Sequence, residues 1–192
     1  VFEFTPKIEV WIRLPPLFFE ILMASDEIQI QLTPVSRLKC TEIEAAAKRI
    51  WPEAYLSILK PGQIEYMLEM MYSPAALSRD FHSGIQYRWI EKAGTRNGFL
   101  AYGPVSRGSS CELHKLYIEA EVRGQGIGKG AIETLTHELE KIGAKSMRLR
   151  VNRHNETAIY FYQRVGFSIT EEDKLDIGGG FVMDDFLMEK PL

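Results

Sequence analysis

The chain has 192 residues, 45% apolar and 26% charged, with a formal net charge of −3. This is the profile of one folded globular domain, not of a disordered chain, a collagen-like repeat or a small disulfide scaffold. With 23 basic against 26 acidic residues, there is no basic excess to neutralise a nucleic-acid backbone, so nucleic acid is not an expected partner. The cysteines, Cys40 and Cys111, stand at no metal-ligand spacing and cannot build a secreted disulfide framework, which points to a reducing, cytoplasmic setting.

No apolar run reaches the roughly 20 residues that cross a bilayer, so no membrane is expected. Leu17 to Ala24 follow Lys7 and Arg13 in the order of a secretion signal, but Pro15, Pro16 and Glu20 interrupt the apolar core such a signal needs. The chain opens on Val1, and Met23, a candidate start, stands just before the first clean alternation, Ile28 to Leu32. Residues 1–22 are expected to form an extension outside the fold, and residues 28–192 the domain.

After the strand at 28–32, a helical period from Ser36 to Ile50 is expected to stop before Pro52. Pro61 opens a second helix with Ile64, Met67, Leu68 and Met71 on one face, a stripe that suits core packing. Ser73-Pro74 is an N-cap and first-turn proline for a third helix. Alternation over Ile85 to Ile90 and Phe99 to Tyr102 predicts paired antiparallel strands, and a Gly/Ser-rich loop from Ser106 to Ser110 leads into a strand over Cys111 to Ile118. A helix from Gly126 to Ile142 should bury Ala131, Leu135, Leu139 and Ile142 and end at Gly143. A strand over Met147 to Val151, a helix over Glu156 to Val165, and closing strands Phe167 to Ile169 and Phe181 to Met188 complete the chain.

The stretch Val122 to Gly130 lies between a strand and a helix, and its chemistry is anion binding. Glycines let backbone N–H groups approach a phosphate, the helix N-terminus offers open donors, and Arg123 and Lys129 add full charges. A Walker A loop is excluded: no glycine precedes Gly128-Lys129 at the required distance, and Gly130 replaces the hydroxyl residue. The dinucleotide fingerprint is formally met by Gly126, Gly128 and Ala131, but the next strand leads into Asn152 instead of an acidic ribose ligand.

A third form, R/Q-x-x-G-x-G/A, is carried by Arg123-Gly124-Gln125-Gly126-Ile127-Gly128. Downstream, Leu149 to Asn152 and Asn155 to Phe167 match a strand, N-x-x-A, helix, Y-x-x-x-G-F segment. Together they resemble the GNAT N-acetyltransferase superfamily over about residues 28–192. The resemblance implies an α/β (α+β) GNAT fold, a mixed, mostly antiparallel sheet with helices on both faces, and acetyl transfer from acetyl-CoA, without a metal, to a primary amine.

An alkyl amine with a pKa of about 10.4 is almost wholly ammonium at neutral pH, so a group must take its proton. Glu112 and His114 stand at i and i+2 on the strand where the family places such groups, and the resemblance implies a proton relay. It implies that Tyr162, ahead of the Gly166-Phe167 pair, protonates the departing thiolate. Cofactor contacts fall by resemblance on Arg123, Gly124, Gln125, Gly126, Ile127, Gly128 and Lys129, on backbone groups of Leu116 and Ile118, and on Asn155, which also reads as a helix N-cap. Tyr160 and Phe161 are expected to pack, and His82, His137 and His154 have no metal spacing. The acidic C-terminal stretch, Glu171 to Asp185, would favour a cationic acceptor if it converged on the cleft, and otherwise is a solvated face. A polyamine-like small amine is the first expected acceptor and a protein N-terminus the second. A non-catalytic acyl-CoA sensor and a homodimeric assembly also stay open.

Overall fold

The computed structural model describes residues 29–105 and 108–192. The expected N-terminal extension, Ile28, and residues 106–107 of the expected loop lie outside the described residues. One sheet carries seven strands in the order β1-β2-β3-β4-β5-β7-β6. They are β1 (Ile30–Pro34), β2 (Gln86–Lys92), β3 (Thr95–Tyr102), β4 (Ser110–Ile118), β5 (Ser146–Asn152), β6 (Ser168–Gly178) and β7 (Phe181–Pro191). Helices α1 (Cys40–Tyr55), α2 (Gln63–Tyr72) and α3 (Pro74–His82) precede β2, α4 (Ile127–Lys141) joins β4 to β5, and α5 (Glu156–Arg164) follows β5. Neighbouring strands pair antiparallel except β4 with β5, which run parallel.

Strand alternation divides the interior into two cores. Leu100 and Tyr102 of β3 join Ala131, Ile132 and Leu135 of α4 on one face, while Phe99 and Ala101 join Ile43, Ile50 and Met67 under α1–α3 on the other. Helices therefore cover both faces. Leu135 is fully buried, and its truncation to alanine would cost about 3 kcal/mol through lost transfer energy and the cavity left behind.

Four expectations are corrected. α1 does not stop at Ile50 but continues through Pro52 to Tyr55. Pro52 forfeits one helical hydrogen bond, but the extra turn buries Trp51, whose ring lies 4.7 Å from Tyr55 and 5.5 Å from Tyr72, and this tertiary packing outweighs the local penalty. Ile142 is 51% exposed, because it caps α4 with non-helical backbone angles and so leaves the buried period. Tyr160 is 61% exposed and lies under the Arg164 guanidinium instead of packing in the core. The short strand expected at 167–169 runs on as β6 to Gly178. It is an edge strand exposed along most of its length, so its acidic residues hide the usual apolar alternation.

Candidate active site

β4 and β5 are hydrogen-bonded over only three residue pairs, Ser110–Ser146, Cys111–Met147 and Glu112–Arg148. Beyond them β4 stays paired to β3 and β5 to β7, so the two strands diverge and leave facing main-chain edges open. A bulge marks the divergence: Ala101 faces Lys115 and Tyr102 faces Leu113, making His114 the extra residue. It breaks strict alternation, so Leu113, Leu116 and Ile118 pack toward α4 while Tyr117 packs toward α1 and α2.

The glycine turn closes one end of this wedge. Gly124 and Gly126 adopt φ of 76° and 78°, a left-handed conformation that a side chain would strain. No atom lies within 4 Å of the place a Cβ on Gly124 would occupy, so the backbone is open to an approaching anion. Gly126 caps α4 without a side-chain bond, and the first helical bond runs from the Gly130 N–H to the Gly126 carbonyl at 2.9 Å. The N–H groups ahead of it are therefore available to a ligand. Gly128 permits the close crossing of α4 and α5, since a Cβ there would meet Phe161 Cζ at 3.3 Å. Arg123 Nε donates to the Ile118 carbonyl at 3.0 Å, which holds its positive charge where the loop meets the end of β4. Lys129, exposed, lies 3.5 Å from Glu133.

A cavity of about 1040 Å³ passes through the sheet at the wedge, walled by Trp51, Tyr55 and Met67 on one side and by Ile127, Phe161 and Tyr162 on the other. All the site residues expected from the sequence reach this wall except Gln125, whose side-chain amide turns back to donate to the Glu121 carbonyl at 3.2 Å. Asn155 also caps α5, its Oδ1 accepting from the Ala158 N–H at 3.1 Å.

Tyr162 is 9% exposed and meets Phe167 edge-on at 5.6 Å. Burial, with a smaller contribution from Tyr55, pushes its hydroxyl well above the usual tyrosine range, so it remains a proton donor at neutral pH. His114 Nδ1 stands 3.8 Å from Glu112 Oε1. Both groups have other partners: Arg150 Nη1 donates to Glu112 at 2.8 Å, and His114 Nε2 lies 2.6 Å from the Gly103 carbonyl. A carbonyl only accepts, so Nε2 carries the hydrogen and Nδ1 is left facing Glu112.

Sequence reasoning missed several wall residues, among them Tyr55, Tyr117 and Arg150, and named Asp185 only as one member of the acidic stretch. The acidic stretch does not converge on the cleft as a group. Arg153 takes Glu172 and Asp184, each at 2.7 Å, and Arg150 takes Asp173 at 3.0 Å. Of the acidic residues in that stretch, Asp185 alone lines the cavity. It is 6% exposed, and burial, reinforced by Asp173 and opposed by Arg150, pushes its carboxyl up to about 6. The consecutive acidic pair at 184 and 185 was the available signal, since alternation on a strand must send the two to opposite faces. Among the described residues no group of His, Cys, Asp and Glu could hold a metal ion, and no helix is long and apolar enough to cross a membrane.

This architecture, a parallel seam forced open beside an uncapped helix N-terminus, is that of a GNAT acyltransferase domain. Residues 44–167 match the model of the acetyltransferase (GNAT) family, and the chain belongs to that family. It is 42% identical over 92 residues to the uncharacterised N-acetyltransferase YdgE of Bacillus subtilis, covering 46% of this chain and 59% of that protein. It is 39% identical over 64 residues to the peptidyl-lysine N-acetyltransferase YjaB of Salmonella typhimurium, covering 33% of this chain and 41% of that one. The chain thus spans about half the length of these curated relatives. The PaiA N-acetyltransferase of Thermoplasma acidophilum, solved in complex with coenzyme A, shares the fold with a TM-score of 0.68 at 24% identity, over 85% of this chain and 99% of that one.

Proposed function

We propose that this chain transfers an acetyl group from acetyl-CoA to the primary amine of a small, polyamine-like molecule. The observation that carries the reading is the open β4–β5 wedge leading from the bare N-terminus of α4 to Tyr162. A diphosphate would sit on the N–H groups of Gly124 to Lys129 beside Arg123. The pantetheine arm would pair with the free edge of β4 at Leu116 and Ile118, as an added strand pairs with a sheet. A main-chain N–H on that edge would polarise the thioester carbonyl. Tyr162 would protonate the leaving thiolate, and Glu112 and His114 offer a proton route toward solvent.

A small acceptor is favoured because the acceptor side of the cleft is bridged. Tyr66 donates to the Ile177 carbonyl at 2.6 Å, and the Gln63 amide donates to the Val182 carbonyl at 3.0 Å, which ties α2 to the β6–β7 hairpin. An extended peptide would have to displace this bridge. A protein amine is the second reading, favoured by the similarity to a peptidyl-lysine acetyltransferase. Calorimetry with acetyl-CoA, followed by thiol release across a panel of amines and peptides, tests both. Binding without turnover on any of them would leave an acyl-CoA sensor.

A further inference from the structure

We propose that Asp185 is the catalytic residue that holds the acceptor's ammonium group and takes its proton. The inference rests on the acetyltransferase reading and deepens it, because it specifies an acceptor that arrives as a cation. Asp185 is 6% exposed and lines the cavity, yet among the described residues none forms a hydrogen bond or ion pair with its side chain. A buried carboxylate is ordinarily paired, so one left without a partner on a cavity wall is a vacant place for a cationic ligand. Its neighbour Asp184 supplies the contrast: on the opposite side of β7 it is held by Arg153 at 2.7 Å and by Lys174 at 3.6 Å.

The two groups expected to take the proton are less suited to be first in line. Glu112 is committed to Arg150, and the His114 hydrogen is committed to the Gly103 carbonyl. Asp185 also lies within electrostatic reach of the leaving-group side. The Tyr55 hydroxyl is raised chiefly by burial and further by the Asp185 charge, and Tyr55 in turn raises Tyr162. The charged and titratable groups facing Asp185 are Asp173 of β6, Arg150 of β5, Asp184 of its own strand and Tyr55 of α1.

The chemistry balances as follows. The bound ammonium gives one proton to Asp185, which frees the nitrogen lone pair to bond to the thioester carbon. When the C–S bond breaks, its electron pair stays on sulfur and Tyr162 protonates the thiolate. The second proton lost by the nitrogen restores Tyr162, and Asp185 releases its proton to solvent as the one net proton of the reaction.

The test is steady-state kinetics of the full chain with acetyl-CoA saturating and spermidine as acceptor, or, where spermidine is not accepted, the best substrate from a panel of linear alkyl amines. Asp185→Asn is expected to lower kcat/KM at least 100-fold, leave the Kd for acetyl-CoA within twofold, and abolish the acidic limb of the pH profile near pH 6. Trifluoroethylamine, already neutral at pH 7.5, should lose far less. Asp185→Glu, which keeps a carboxylate, should recover part of the activity and the acidic limb, and it also guards against a folding defect in the amide variant. Glu112→Gln and His114→Gln, further along the proton route, should each cost less than Asp185→Asn. A folded Asp185→Asn protein with wild-type kcat/KM and an unchanged pH profile would overturn the assignment while the acetyltransferase reading stands. A wild-type protein that binds acetyl-CoA but acetylates no amine would overturn both.

Discussion

β4 and β5 run side by side through two regions that differ in almost every respect. From Ser110 to Glu112 they form an ordinary parallel ladder, with the Ser110 and Ser146 hydroxyls 2.6 Å apart. From Leu113 onward they part, and the same strands become the walls of a cavity. One extra residue in β4 coincides with the change. Packing stabilises the closed half, while the open half leaves, among the described residues, main-chain groups unpaired and a carboxylate without a partner, features expected to lower stability unless a ligand completes them.

The sharpest way to break the open half is at its leaving-group side. Tyr162→Phe removes one oxygen from a packed ring and should leave the fold and the acetyl-CoA affinity intact. Turnover should fall by about 10² or more, the range expected when a general acid is removed. Rapid mixing that separates acetyl-CoA binding from thiol release would check this, and equal turnover would remove Tyr162 from the chemistry.

The second prediction concerns what the open half costs. A carboxyl pushed up to about 6 by burial binds its proton more tightly in the folded than in the unfolded chain. Below about pH 4 both states are protonated and nothing is lost. As pH rises through 6 the folded protein must bear a buried charge, and stability falls. Asp185→Asn should therefore stabilise the free protein by about 1–3 kcal/mol at pH 8 and by nothing near pH 4, as measured by urea unfolding at the two values. Asp184→Asn should show the opposite trend: arginine and lysine neighbours hold that carboxyl below its usual range, so its contribution is present at neutral pH and lost on acidification.

How much of this was legible in the sequence follows from how local each feature is. The glycine turn, the Asn155 cap and the Gly166-Phe167 pair are set by residues within a few positions of one another, and the sequence placed them correctly on a strand, loop or helix. Trp51 and Tyr55 were cut off from their helix because Pro52 speaks locally, whereas the rings that keep the turn helical, Tyr72 and Tyr117, come from other elements. The isolation of Asp185 depends on which carboxylates Arg150 and Arg153 claim from β4, β6 and β7, and the wedge depends on a slip in pairing between β3 and β4. Neither is written in any short window.

A smaller effect is expected at the loop. Arg123→Glu replaces an exposed cation anchored on the Ile118 carbonyl by an anion beside the proposed diphosphate site. Acetyl-CoA affinity should fall about tenfold at low ionic strength, and the difference should shrink with added salt, because exposed charges are screened. Calorimetry at two salt concentrations would measure it. Indifference to both would place the phosphates elsewhere.

The smallest effect probes the closed half. Ser146 is buried and shares a hydrogen bond with Ser110, whereas Ser110 reaches solvent and can find water once its partner is gone. Ser146→Ala should therefore cost only about 1 kcal/mol of stability, the net worth of one neutral hydrogen bond. Because β4 and β5 remain paired through three residues on their main chains, the wedge beyond Glu112 should keep its shape, and kcat and KM should stay at wild-type values. A large loss of activity in a protein destabilised so little would mean that the ladder sets the opening as well as closing the seam.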